Sequence, residues 1–296
     1  MKEYTRLRPL NDYIFGKTFG EKGDEEQLLS LLNAILEKTG RPKLTEIEIV
    51  EQRAFTAEII GDKTSILDVR TKTADGTKAN IEVQLRNCGN MDVRSLFYWS
   101  REFAKGLNIS EDYSQLNGVI AINIVSFEAV PLPEFHTTFH IREDAHPEFI
   151  LTDALEIHFI DVKKFNALAE KDIKNDSLHR WLTFFNPETP ENVLKELMSM
   201  DTAILKANEK ITFISADKNA LAEYHLREMA IIDYNNGIAR AEARGKAEGK
   251  AEGKAEGKNE EKVKIAISML EDGDSPEKIA RNTGLSLERI EELRTA

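Results

Sequence analysis

Residues 65–85 constrain the fold more than any other segment of this chain. SILDVRTK (65–72) and NIEVQL (80–85) are rich in β-branched residues and alternate in polarity, and TADGT between them is a turn sequence. The pattern predicts an antiparallel hairpin. A three-residue loop of Ala74, Asp75 and Gly76, with Gly76 in the left-handed position, pairs residues whose numbers sum to 150. A two-residue Asp75-Gly76 turn pairs numbers summing to 151 and turns one strand over relative to the other.

That choice decides the chemistry available. In NIEVQL the period of two puts Ile81, Val83 and Leu85 on one face and Glu82 with Gln84 on the other. Asp68, flanked by Leu67 and Val69, is of a residue type depleted from strand interiors. In the first register Asp68 faces Glu82, with Cβ atoms about 5 Å apart, and two such carboxylates repel unless a cation or a proton lies between them. A hard divalent ion is the natural filler, and all-oxygen donors suit Mg²⁺ better than zinc. The alternative for Glu82 and Gln84 is a solvated hairpin face.

Around the hairpin, DEEQLLSLLNAILEK (24–38) spaces Leu28, Leu31, Leu32 and Ile35 as one helical face, and EIEIVEQ (46–52) reads as a strand. Residues 91–107 are helical in period, and NGVIAINIVSF (117–127) is a buried strand. TTFHIRE (137–143) and LEIHFIDV (155–162) are further strands, followed by helical sequence to about 236. His136, His140 and His158 lack ligand-like spacing and read as strand or loop residues, and no Ser-His-Asp or Cys-His set emerges.

A formal net charge of -12 argues against a general polyanion binder, so any nucleic-acid contact must be local. The single cysteine, Cys88, excludes a disulfide framework and a cysteine-rich zinc site, and suits the cytoplasm. No signal-peptide pattern or membrane-length apolar run is found, so no membrane partner is expected.

The run ILDVRTKTADGTKANIEVQL, followed by VRSLFYW and GVIAINIVSF, resembles the recombination-promoting nuclease (Rpn) or putative transposase family of PD-(D/E)XK nucleases. LNDYIFGKTFG and LLSLLNAIL fit that family too, and the likeness covers residues 8–130 well and extends more loosely to about 235. The resemblance implies metal binding by Asp68 and Glu82, with the Val83 carbonyl as a third ligand and Gln84 in the position usually held by lysine. Gln84 departs from the superfamily there: a neutral amide can position water or phosphate but carries no positive charge. Arg94 and Tyr98 match the family's arginine and tyrosine after the third strand, and with Arg101 they are candidate contacts to nucleic acid. Their alternative is an ordinary helix surface with Tyr98 packed beneath it. Asp12, in LNDYIF, is a candidate additional metal ligand and equally a helix cap.

The expected fold is α/β, a restriction-endonuclease-like mixed sheet flanked by helices with a helical C-terminal extension. The nuclease-like core spans 1–165, a helical region 166–236, a Gly-Lys-Ala-Glu repeat 237–262, and a helix-turn-helix-like tail 263–296. Within Pro276 to Ala296 four basic residues are balanced by four glutamates, which favours packing or oligomerisation over DNA reading. The expected function is a Mg²⁺-dependent DNA endonuclease, with recombination or mobile elements implied by the resemblance and a homodimer through the tail plausible. The rival is an inactive relative that binds nucleic acid or protein.

Overall fold

The computed structural model of the protein describes residues 6–50, 69–87, 89–107 and 112–295. Six strands are described: β1 (Ile47–Val50), β2 (Val69–Thr73), β3 (Lys78–Gln84), β4 (Val119–Val125), β5 (His136–Phe139) and β6 (Leu155–Asp161). They form one sheet in the order β1-β2-β3-β4-β6-β5. The pairs β1/β2, β2/β3 and β5/β6 are antiparallel, and β3/β4 and β4/β6 are parallel. The mixed sheet expected from the sequence is therefore present.

One face carries the main core. Helix α1 (Asp12–Phe19) starts at Asn11, whose side chain accepts from the amides of Tyr13 and Ile14. In α2 (Glu25–Leu36) two glutamates occupy the first turn, and Leu28, Leu31, Leu32 and Ile35 are all buried. Helices α4 (Val162–Asn166), α5 (Ser177–Phe185), α6 (Glu191–Met200) and α7 (Thr202–Ala216) add Phe165, Trp181, Leu197 and Ile204 to the same core. Phe15, Phe19, Trp181 and Phe185 interlock there, Phe15 and Phe19 at 4.7 Å between ring centroids.

The other face is covered by α3 (Met91–Ala104), which lays Met91, Ser95 and Trp99 along the sheet at helical spacing of four. The Trp99 ring nitrogen donates to the Val119 carbonyl at 2.9 Å, which anchors the helix over β4.

The hairpin takes the three-residue loop. Val69 pairs with Ile81, Arg70 with Asn80, Thr71 with Ala79 and Lys72 with Lys78, each pair summing to 150. The Thr73 amide donates to the Thr77 carbonyl at 2.9 Å, and Gly76 adopts φ +88. That positive φ requires glycine, and a Cβ there would also make the Asn117 side chain, 2.9 Å away, shift.

One expectation from sequence changes: the strand read at 137–143 ends at Phe139, where pairing with β6 stops. The alternative of a solvated face for Glu82 and Gln84 does not hold, because α3 lies over that face and leaves them 2 % and 8 % exposed.

The chain divides into two compact units, Met1–Ile232 and Asp233–Ala296, with helix α8 (Lys218–Glu271) running through the division. The repeat lies within α8, fully exposed, and nothing approaches within 4 Å of a Cβ built on Gly245, Gly249, Gly253 or Gly257. Beyond it, α9 (Pro276–Thr283) and α10 (Leu287–Thr295) pack around Ala266, Ile279 and Ile290. Gly284 caps α9 in the left-handed conformation.

Candidate metal and nucleic-acid site

Strand β3 lies inside the sheet between β2 and β4, and its alternation is decisive. Ile81 and Val83 point into the main core, while Glu82 and Gln84 point under α3. Moving a carboxylate to 2 % exposure costs several kcal/mol unless a cation accompanies it. Arg94 is that cation: its Nη2 lies 3.1 Å from Glu82 Oε1, and its guanidinium sits 5.3 Å from the centroid of the Tyr98 ring. Arg94 and Tyr98, one turn apart on α3, thus stand together over the Glu82 face of the sheet. The Gln84 amide donates to the Arg86 carbonyl at 3.0 Å.

Beside Glu82 in the sheet register stands Asn123 of β4. It is buried, and its amide donates to Ser95 Oγ of α3 at 2.8 Å and to the His158 carbonyl at 3.0 Å. The sequence reading missed Asn123 and Ser95, although a lone Asn inside the apolar run GVIAINIVSF was the available signal.

Of the remaining predicted residues, Asp68 lies outside the described residues. The register that would oppose it to Glu82 is the one seen at the four described pairs. Val83 occupies β3 with its side chain in the core. Asp12 opens α1, but the cap is its neighbour Asn11, and the Asp12 carboxylate is engaged by Arg227 of α8. Arg101 lies over Phe97 at 5.7 Å, and that ring is half exposed. Among the described residues no three His, Cys, Asp or Glu side chains gather so as to hold a metal ion.

On the opposite face a second polar group is buried. Glu156 Oε1 accepts from His158 Nε2 at 2.8 Å, Glu156 Oε2 meets the Arg41 guanidinium, and His136 Nε2 lies 2.9 Å from His158 Nδ1. Burial alone would raise the Glu156 carboxyl, but the hydrogen bond and charge of His158, together with Arg41, hold it at about 2. Burial, reinforced by His158 and Lys38, pushes His136 down to about 4.

In the tail, Lys278 pairs with Asp274, Arg289 with Glu292 and Arg294 with Glu291, so these basic groups are locally neutralised. Among the described residues no helix is long and apolar enough to cross a membrane.

No curated protein and no solved structure matches this chain. The model of the PD-(D/E)XK nuclease family transposase matches residues 9–241, which takes in the sheet, the helices on both its faces and the start of the repeat helix. PD-(D/E)XK nucleases generally use divalent metal ions. With a mixed sheet, a buried glutamate on its inner strand β3 and a match over most of its length, the chain belongs to the PD-(D/E)XK nuclease family transposases.

Proposed function

We propose that the protein is a Mg²⁺-dependent DNA endonuclease whose metal is held by Asp68 and Glu82, with the Val83 carbonyl as a third ligand. The observation that carries this reading is Glu82 itself, a buried carboxylate on the inner strand β3 of a chain that the PD-(D/E)XK nuclease family model matches. A hard ion fits the oxygen donors, and when bound it would activate a water and offset charge on a phosphate oxygen. The chain's own groups do the rest. Gln84, beside Glu82 on the same face, offers an amide to orient water or phosphate by hydrogen bonding. Arg94, Tyr98 and Arg101 of α3 contact the DNA backbone, and the guanidinium of Arg94 supplies from α3 the positive charge that Gln84 lacks. Asp12 is a further ligand only if it leaves Arg227.

Contact with DNA is local, because the chain carries a net charge of -12. A homodimer through the C-terminal helices would bring two such sites to one duplex. An inactive binding or assembly module is the second reading, favoured by Gln84 in the lysine position and by the paired basic groups of the tail.

Supercoiled plasmid incubated with the full chain tests both readings. Nicking in Mg²⁺, absent in EDTA and reduced about a thousandfold or more in Asp68→Ala and Glu82→Ala, is expected where an essential metal ligand is lost. Nicking that survives either substitution refutes the proposed ligands, and no nicking by any form with retained DNA binding establishes the second reading.

A further inference from the structure

Arg94 holds the carboxylate that the metal reading assigns to an ion. Its guanidinium nitrogen is 3.1 Å from Glu82 Oε1, Arg94 keeps only 13 % side-chain exposure, and the Tyr98 ring lies beneath it. A guanidinium and a divalent cation cannot both sit at full contact on one carboxylate oxygen, since their charges repel at that range. We infer that Arg94 is an exchangeable counter-ion: it holds Glu82 Oε1 in the metal-free protein and releases that oxygen when the metal binds. This inference rests on the metal reading of Glu82 given above.

Two physical consequences follow. First, the pair gives the buried Glu82 a charge partner before any metal arrives, so this face of the site is built without metal; a buried ion pair that loses one member costs several kcal/mol. Second, the pair taxes metal affinity, because only molecules in which Glu82 is released are competent, and the apparent Kd rises by the inverse of that fraction. The released guanidinium stays on α3 beside Tyr98, where a phosphate oxygen is a chemically equivalent partner to the carboxylate it left. Metal and DNA then cooperate: the phosphate holds Arg94 away from Glu82 and the metal takes its place, so each ligand tightens the other by the same factor.

Isothermal titration of the full chain with Mn²⁺ in the absence of DNA tests the exchange, with wild type, Glu82→Gln and Arg94→Gln side by side. The expected result is no binding by E82Q and about tenfold tighter binding by R94Q than by wild type, the factor expected when about a tenth of wild-type molecules are competent. In parallel, R94Q without metal should unfold at lower temperature than wild type and gain more from Mn²⁺. If E82Q abolishes binding while R94Q binds no more tightly than wild type, the exchange is wrong and the metal reading stands. If wild type and E82Q bind alike, or neither binds, the metal reading falls and the inference with it. Should R94Q fail to fold, Arg94→Lys retains the charge without the planar fork and is expected to bind Mn²⁺ more tightly than wild type, by less than tenfold; equal affinity overturns the exchange.

Discussion

Glu82 and Glu156 are both buried carboxylates on inner strands, on opposite faces of one sheet, and each meets an arginine. Their surroundings differ in kind. Both Glu156 oxygens are engaged, one by Arg41 and one by His158, and His158 is in turn tied to His136 and anchored beside Thr138. Arg41 follows α2, Glu156 and His158 lie on β6, and His136 lies on β5, so the network ties a helix terminus, an inner strand and an edge strand together. Among the described residues, Glu82 is met by helix α3, which brings Arg94, Tyr98 and Ser95 to that face, with Gln84 alongside. A buried acid by itself therefore says little about chemistry. A closed network of two histidines and one arginine is a way to fasten an edge strand, whereas a carboxylate paired across a helix, in a family whose members generally use divalent metal ions, is where we place the exchangeable cation proposed above.

The sharpest way to break this distinction is to remove the carboxylate charge at each place. Glu156→Gln leaves the partly exposed Arg41 and the buried His158 against a neutral group and should cost about 3 kcal/mol of stability, a fall of about 10 °C in Tm for a unit of this size. Mn²⁺ affinity of the folded protein should remain within twofold of wild type, about 0.4 kcal/mol. A Glu156→Gln protein that keeps its Tm but loses metal would reverse the roles assigned to the two faces.

A smaller effect concerns acid. His136 has its pKa lowered from 6.5 to about 4, so the folded state disfavours the proton that the unfolded state accepts. Its contribution is fully present above pH 6.5 and is lost as pH falls toward 4, on the order of 3 kcal/mol across that window. Glu156, lowered from 4.5 to about 2, extends the loss below pH 4.5. The charged and titratable groups that bear on His136 and Glu156 are Lys38, Arg41, Asp176, His158 and His140. Thermal unfolding of wild type and His136→Asn between pH 7 and 4 checks it. The two curves should converge as pH falls, and parallel curves would mean the histidine pair is not the acid-sensitive element.

The sequence exposed what local rules govern. Turn chemistry at Ala74, Asp75 and Gly76 fixed the hairpin register, because the turn places Gly76 at a positive φ. Helical spacing exposed the buried face of α2, and an unbroken apolar run exposed β4. Contacts between distant segments were not legible. Arg41 and Glu156 are 115 residues apart in the chain, so the polar pair inside LEIHFIDV gave no hint of its partner. The covering of Glu82 was equally hidden: period-two alternation shows which face a residue takes, and only the docking of α3 through Trp99 and Ser95 shows that this face is dry. Asp68, the residue on which the sequence argument for a paired-carboxylate site most depends, lies outside the described residues.

Location of the metal is the most direct test of the central claim. Iron(II) bound in place of Mg²⁺, with ascorbate and peroxide, cuts the backbone next to its ligands, and mass spectrometry reads the fragment ends. Cuts clustered at residues 68 and 82–84, suppressed by excess Mg²⁺ and absent in Glu82→Gln, are the predicted result. Cuts clustered at residues 136–158, around the histidine network on the other face, would contradict it.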